Sequence, residues 1–220
     1  MSLVEAVVFD LDGVLVDSER VWDEVREQLA RESGGRWHTR AQADMMGMSS
    51  PEWSRYMHDV IGLVDPPQEI NAEVVRRMQN RYAEELPLLA GAVETVTALA
   101  RMFRLALASS SHRPLIDAVL TSSGMDALFE ATVSSEEVER GKPAPDVFLE
   151  AARRLGVESG RCVAIEDSAN GIRAANTAGM RVVAIPNRRY PPAVEALALA
   201  DAVVDSLANL TPTVVVGEGD

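Results

Sequence analysis

Several things that whole classes of protein require are scarce in this sequence. There is one cysteine in 220 residues, Cys162. No disulfide can therefore close within the chain, and cysteine-ligated zinc is argued against. Three histidines, His38, His58 and His112, with no HExxH spacing exclude a zincin-type metal site. Basic residues are outnumbered, 21 Lys and Arg against 34 Asp and Glu, for a formal net charge of −13. Nucleic acid and anionic membrane are both held through basic patches, so neither is expected as a partner. No apolar run approaches the roughly 18 residues of a membrane-spanning helix. The start of the chain has no basic flank, and Asp10 and Asp12 break its apolar run. That is unlike a signal peptide, and the expected compartment is the cytoplasm.

What is present is ordinary globular composition, 47% hydrophobic and 25% charged. This excludes a disordered chain, a collagen and a coiled coil. At roughly 100–200 residues per domain, the length allows one large domain or two small ones, with enough chain to bury most of its surface.

Short apolar runs recur at 4–9, 104–108, 130–134, 161–165, 181–185 and 201–205. They are rich in Val, Ile, Leu and Ala and barely alternate, as strands buried on both faces do. Helix-like stretches at 92–102, 114–122, 145–155, 168–178 and 192–199 separate the later runs. Strand alternating with helix predicts an α/β fold, a Rossmann-like parallel sheet with helices on both faces. In such sheets ligands bind at the carboxyl ends of the strands, where strand order reverses.

One segment breaks the alternation. Residues 18–86 contain no convincing strand and predict helices at 18–33, about 40–46, 51–61 and 68–86. In the last, Ile70, Val74, Met78, Tyr82 and Leu86 fall at steps of four and form one apolar stripe. Gly34-Gly35 and Asp65-Pro66-Pro67 mark breaks between helices. A helical domain is thus inserted between residues 1–16 and 88–220, which together form the α/β core. There is no internal repeat and no low-complexity segment.

Four groups of polar residues fall at strand ends. The first is Asp10-Leu11-Asp12-Gly13. An Asp-Gly pair between apolar runs signals a turn, which accounts for Asp12 and Gly13 but not Asp10. Two carboxylates leaving one buried strand repel each other, and need a cation or unequal protonation to coexist. The second is Ser109-Ser110-Ser111-His112. Hydroxyls and free backbone N–H groups there can hold an anion, or simply cap the next helix. The third is Gly141-Lys142-Pro143-Ala144-Pro145-Asp146. Lys142 is the only lysine in a chain that otherwise uses arginine. An ammonium is a compact point charge, so a tight site can demand it and refuse a guanidinium fork; the alternative is a solvated turn. A nucleotide P-loop is excluded, because Glu136 and Pro143 stand where Gly and Ser or Thr are needed. The fourth is Glu166-Asp167-Ser168. Adjacent carboxylates there suit a hard cation such as Mg²⁺, or cap a helix. All four share one sheet edge. Together they are an inventory for phosphoryl transfer, in which cations and donors surround the phosphoryl oxygens.

The stretches DLDGVLVDS, ALASSS, GKPAPD and AIEDS, in this order and spacing, resemble the motifs of the haloacid dehalogenase superfamily. The likeness is to its branch of beta-phosphoglucomutase-like and sugar-phosphate phosphatase enzymes. It covers essentially the whole chain, and the helical insert resembles that branch's cap domain. The resemblance implies that Asp10 is a nucleophile that becomes an aspartyl-phosphate. Asp12 is implied as the general acid and then the general base. Ser109 and Lys142 would hold the phosphoryl group, Lys142 also keeping Asp10 ionised. Mg²⁺ would be bound by the Asp10 carboxylate, the Asp12 main-chain carbonyl and Asp167, with Glu166 direct or through water. The dehalogenases themselves lack the second Asp, so Asp12 argues for phosphate chemistry.

The cap departs from the mutase pattern. Trp22 stands about where the mutases carry a His, and Ser50 stands where they carry an Arg that grips a second phosphate. A phosphatase acting on a small phosphorylated metabolite, a sugar or polyol monophosphate, is expected ahead of a phosphosugar mutase. A non-catalytic binding protein on the same fold, or a phosphorylated receiver, would not need every motif residue. Substrate-facing candidates are Ser109, Ser110, Lys142, His112 and Ser50. Specificity is expected near residues 47–53 and at His112, Arg113 and Asn170. Met45, Met46, Met48 and Trp53 are read as packing, and the protein is expected to be a monomer.

Overall fold

The computed structural model describes residues 4–45, 48–187 and 191–217, with Ala43 by its backbone only. Met46 and Gly47, both part of the cap-loop reading, lie outside the described residues. Residues up to Asp17 and from Pro87 onward form one compact unit, and Ser18–Leu86 forms a second. Asp17 and Pro87, expected in the insert, belong with the larger unit. The Asp17 N–H donates to the Pro87 carbonyl at 2.8 Å, which ties the two chain crossings together there.

In the larger unit six strands make one parallel sheet: β1 (Ala6–Phe9), β2 (Arg104–Ser109), β3 (Ala131–Ser134), β4 (Cys162–Glu166), β5 (Arg181–Ala184) and β6 (Ala202–Val203). Their spatial order is β3-β2-β1-β4-β5-β6. Every residue of β1 and β4 is buried, as the non-alternating Val, Ile and Ala runs predict. β1 pairs with β2 from Ala6–Arg104 to Phe9–Leu107, and with β4 from Ala6–Cys162 to Phe9–Ile165. Chain order reverses at β1, so the crevice for a ligand opens beyond the carboxyl ends of β1 and its neighbours. The last strand is shorter than the run at 201–205. It is an edge strand, and only Ala202 and Val203 find a ladder on β5.

Helices α5 (Ala92–Ala100), α6 (Arg113–Ser123), α7 (Asp146–Leu155), α8 (Ala169–Thr177), α9 (Val194–Leu197) and α10 (Pro212–Val216) accompany these strands. Val147, Phe148, Ala151, Ala152 and Leu155 of α7 join Ala6, Val8, Ala106 and Ala108 in one buried cluster. At about 25 cal/mol per Å² of apolar surface, such layers dominate the stability of the sheet.

The second unit is helical: α1 (Glu19–Glu32), α2 (Ala41–Met45), α3 (Ser50–Tyr56) and α4 (Pro67–Glu84). The expected helix at 51–61 changes pitch at Met57–Ile61, which is π-helical and ends on Gly62 at φ 88°. The α4 stripe buries Ile70, Val74, Met78 and Tyr82. Leu86 does not extend it, because the helix ends at Glu84. Met45 and Trp53 are buried, and the Trp22 and Trp53 rings meet edge to face at 6.0 Å. Among the described residues no helix is long and apolar enough to cross a membrane.

Candidate active site

Asp10 is held at the carboxyl end of the central strand. Its N–H donates to the Ile165 carbonyl at 2.9 Å, extending the β1–β4 ladder by one residue. The chain then turns. Gly13 N–H donates to the Val16 carbonyl at 2.8 Å, and Gly13 adopts φ 81°. A side chain at Gly13 would also put its Cβ 1.9 Å from Asp167 Oδ2. Conformation and close approach therefore both require glycine, and Asp12-Gly13 is a turn as well as a neighbour of the acidic cluster.

Lys142 lies between two carboxylates. Its Nζ donates to Asp10 Oδ1 at 2.5 Å and to Glu166 Oε1 at 2.6 Å, and sits 4.9 Å from the centre of the Phe148 ring. Its side chain is 5% exposed, which excludes the solvated turn. Burial pulls the ammonium pKa down, but the charges of Asp10 and Glu166 outweigh burial and the net shift is upward. Asp10 is 5% exposed. Burial pushes its carboxyl up to about 8, with Lys142 pulling the other way and Glu166 and Asp12 adding to the rise.

Glu166 ends β4 and is fully buried. Its Oε2 accepts from the N–H groups of Asp167 and Ser168 and from Ser168 Oγ, each at 3.0 Å. A Cβ at Gly171 would fall 1.6 Å from Glu166 Oε1, so the first turn of α8 is a cradle for this carboxylate. Ser168 also caps that helix, its Oγ accepting from Gly171 N–H at 3.1 Å. The capping and acidic-site readings of this motif thus describe the same residues.

Oxygens of Asp10, Glu166 and Asp167 lie within 4.8 Å of one another, and all three residues are buried. Three buried carboxylates face one ammonium. A second cation with oxygen preference fits the remaining charge and the donor set. Asp12 stands apart from this group, and its carboxylate meets serines instead. Ser111 Oγ donates to Asp12 Oδ2 at 2.5 Å, and Ser109 Oγ approaches the same oxygen at 3.5 Å.

The remaining candidates divide. Ser109 is fully buried at the end of β2. Ser110 is exposed. His112 is buried, its Nδ1 2.5 Å from Glu136 Oε1. Ser50 begins α3 in the helical unit, where its carbonyl accepts from Ser54 Oγ at 2.7 Å. Arg113 is tied to Glu137 and Thr132. The contact that sequence reasoning missed is Ser111 on Asp12. Its signal was the third hydroxyl of the Ser-Ser-Ser run, two residues beyond the strand end. A second missed feature is Arg26, whose guanidinium lies 4.8 Å from the Trp22 ring and 4.7 Å from the Trp53 ring within the helical unit.

Residues 4–179 match the family model of the haloacid dehalogenase-like hydrolases. Hexitol phosphatase B of Escherichia coli K12 is 34% identical, the match covering 94% of each chain. The bifunctional riboflavin kinase/FMN phosphatase of Arabidopsis thaliana is 30% identical over 95% of this chain, which spans 55% of that protein. Among solved structures, that of CbbY from Rhodobacter sphaeroides in complex with phosphate superposes with a TM-score of 0.86 at 27% identity, covering 98% of this chain and 100% of that one.

Proposed function

The chain belongs to the haloacid dehalogenase-like hydrolase family, and on that footing we propose that it is a Mg²⁺-dependent phosphatase of small sugar or polyol monophosphates, working through an aspartyl-phosphate. The observation that carries this is the separation of two carboxylates two residues apart. Asp10 sits in the acidic cluster against Lys142, and Asp12 sits outside it against serine hydroxyls. One is thereby kept as a nucleophile and the other as a proton carrier.

An Asp10 carboxylate oxygen forms a bond to phosphorus as the bond from phosphorus to the leaving oxygen breaks. Asp12 gives that oxygen its proton. A water then attacks phosphorus, giving its proton to Asp12, and the Asp10–phosphorus bond breaks to release inorganic phosphate. Lys142 and the hydroxyl of Ser109 neutralise and orient the phosphoryl oxygens. The Asp10 and Asp167 carboxylates and the Asp12 main-chain carbonyl would hold Mg²⁺. Glu166 would act through water, since both its oxygens already accept hydrogen bonds. When bound, Mg²⁺ supplies the positive charge that lets an anionic ester approach an anionic nucleophile.

The helical unit Ser18–Leu86 is read as the cap that selects the leaving group. Ser50 in place of the mutases' arginine removes a grip on a second phosphate, so net hydrolysis is favoured over isomerisation. The polyol preference is supported by the hexitol phosphatase relative. A net charge of −13 is in keeping with a monomer acting on free metabolites in the cytoplasm.

The test is phosphate release from a panel of hexitol, sugar and polyol monophosphates, with conversion of glucose 1-phosphate to glucose 6-phosphate followed in parallel. Expected are phosphate release that stops in chelator and returns with Mg²⁺, and no stimulation by a sugar bisphosphate. Isomerisation outrunning phosphate release, or full activity in chelator, would overturn the proposal.

A further inference from the structure

We infer that Ser111 is a positioning residue for Asp12, holding the acid–base carboxylate by one oxygen and reserving the other for the proton; this rests on the phosphatase reading above. The geometry leaves the Ser111 backbone little freedom. Its N–H donates to Ser109 Oγ at 2.9 Å, and its carbonyl accepts from Ser134 Oγ at 2.7 Å. Both of those serines are fully buried. They end adjacent parallel strands, β2 and β3, in register with each other. Two strand ends thus fix one residue, and what that residue presents is a hydroxyl 2.5 Å from Asp12 Oδ2.

Ser109 does not do the same work. Its Oγ is 3.5 Å from Asp12 Oδ2, at the limit of a hydrogen bond, and it already accepts from Ser111 N–H. No hydrogen bond reaches Asp12 Oδ1 among the described residues. While Ser111 donates to Oδ2, Oδ1 is left open, and the reacting proton is exchanged there. In the first step it passes from Oδ1 to the leaving oxygen as that oxygen takes the electron pair of its broken bond to phosphorus. In the second step Oδ1 takes a proton from the attacking water. Ser111 keeps its own proton throughout and touches neither reacting atom.

Leaving-group dependence separates this role from a merely structural one. Nitrophenolate departs from phosphorus without a proton, whereas the alkoxide of a polyol does not. The experiment measures kcat/KM of wild type, Ser111→Ala and Ser111→Thr on p-nitrophenyl phosphate and on a hexitol 6-phosphate, each preparation being assayed on both esters. Acid–base catalysis contributes roughly 10²–10⁴-fold, so Ser111→Ala is expected to lose about tenfold or more on the hexitol ester and no more than about threefold on the aryl ester. Ser111→Thr, which keeps the hydroxyl, restores the wild-type ratio. The ratio of the two constants does not depend on how much of a preparation is folded. An unchanged ratio in Ser111→Ala, with wild type active, overturns the role of Ser111 alone. Inactivity of wild type on both esters overturns the phosphatase reading together with it.

Discussion

Replacing Lys142 with arginine and with methionine separates charge from shape at the centre of the site. In the native protein Nζ makes two charge-assisted hydrogen bonds, 2.5 Å to Asp10 and 2.6 Å to Glu166, from a side chain that is 5% exposed. Each such bond is worth about 1.5–3 kcal/mol. At one decade in rate per about 1.4 kcal/mol, losing even one where the phosphoryl group binds costs about 10–150-fold in kcat/KM. Lys142→Arg keeps the charge but inserts a planar fork into a space shaped for a single nitrogen. Overpacking of this kind costs about 1–3 kcal/mol of stability, and the fork cannot take the ammonium's place between the two carboxylates. Lys142→Met keeps the volume and removes the charge. Breaking a buried pair from one side costs about 3–5 kcal/mol. Removing the ammonium takes away the charge that opposes burial at Asp10, so the carboxyl takes up a proton more readily in the Met variant and the loss falls toward the lower end. Expected in urea unfolding is a stability order of wild type, then Arg, then Met. Both variants should lose at least about 100-fold in kcat/KM if both bonds fail together. An arginine variant within about threefold of wild type would refute the argument that the site demands a point charge.

Asp10→Asn should fold with an unfolding midpoint close to wild type and lose at least about 100-fold in turnover, since an amide is nearly isosteric but a poor nucleophile; retained turnover would remove Asp10 from its role. Gly13→Ala places a methyl 1.9 Å from Asp167 Oδ2 at a backbone φ of 81°. It is expected to lower stability by more than about 1 kcal/mol and to weaken the Mg²⁺ requirement curve, read as a higher half-saturating concentration. Cys162 is buried, and burial pushes its thiol up to about 11 from 9.0. The folded protein should therefore resist iodoacetamide at pH 8 and react only on unfolding, as mass spectrometry would show. Because folding favours the thiol over the thiolate, this group's contribution to stability is complete below pH 9 and is lost as pH rises toward 11. Rapid labelling of the native protein would contradict the burial.

The sheet is legible because β1 and β4 are buried on both faces, so Ala6–Phe9 and Cys162–Ile165 read as unbroken apolar runs. The apolar run at 201–205 is longer than β6 because an edge strand ends where its ladder on β5 ends, which composition does not encode. The acidic site was legible because Asp10, Lys142, Glu166 and Asp167 each stand at a strand end or in a proline-stiffened loop, where their polarity is conspicuous. Ser111 and Ser134 were not, because their meaning lies in the register of β2 on β3, a tertiary fact. An arginine on an amphipathic helix reads as solvated, and the burial of Arg26 against the indoles of α1 and α3 is again a tertiary fact.

The position of β1 between β2 and β4 has a consequence for how the molecule is made. The segment that emerges first from the ribosome among the six strands needs partners on both sides, and Ala6 pairs with Arg104 and with Cys162. Contacts so distant along the chain form slowly, because the intervening loop must be closed before pairing offsets its entropy. Until β4 arrives, Asp10 remains hydrated and far from Glu166 and Asp167. Their mutual repulsion is therefore imposed only when β4 docks beside β1, and a nascent chain that still lacks β4 carries no assembled active site.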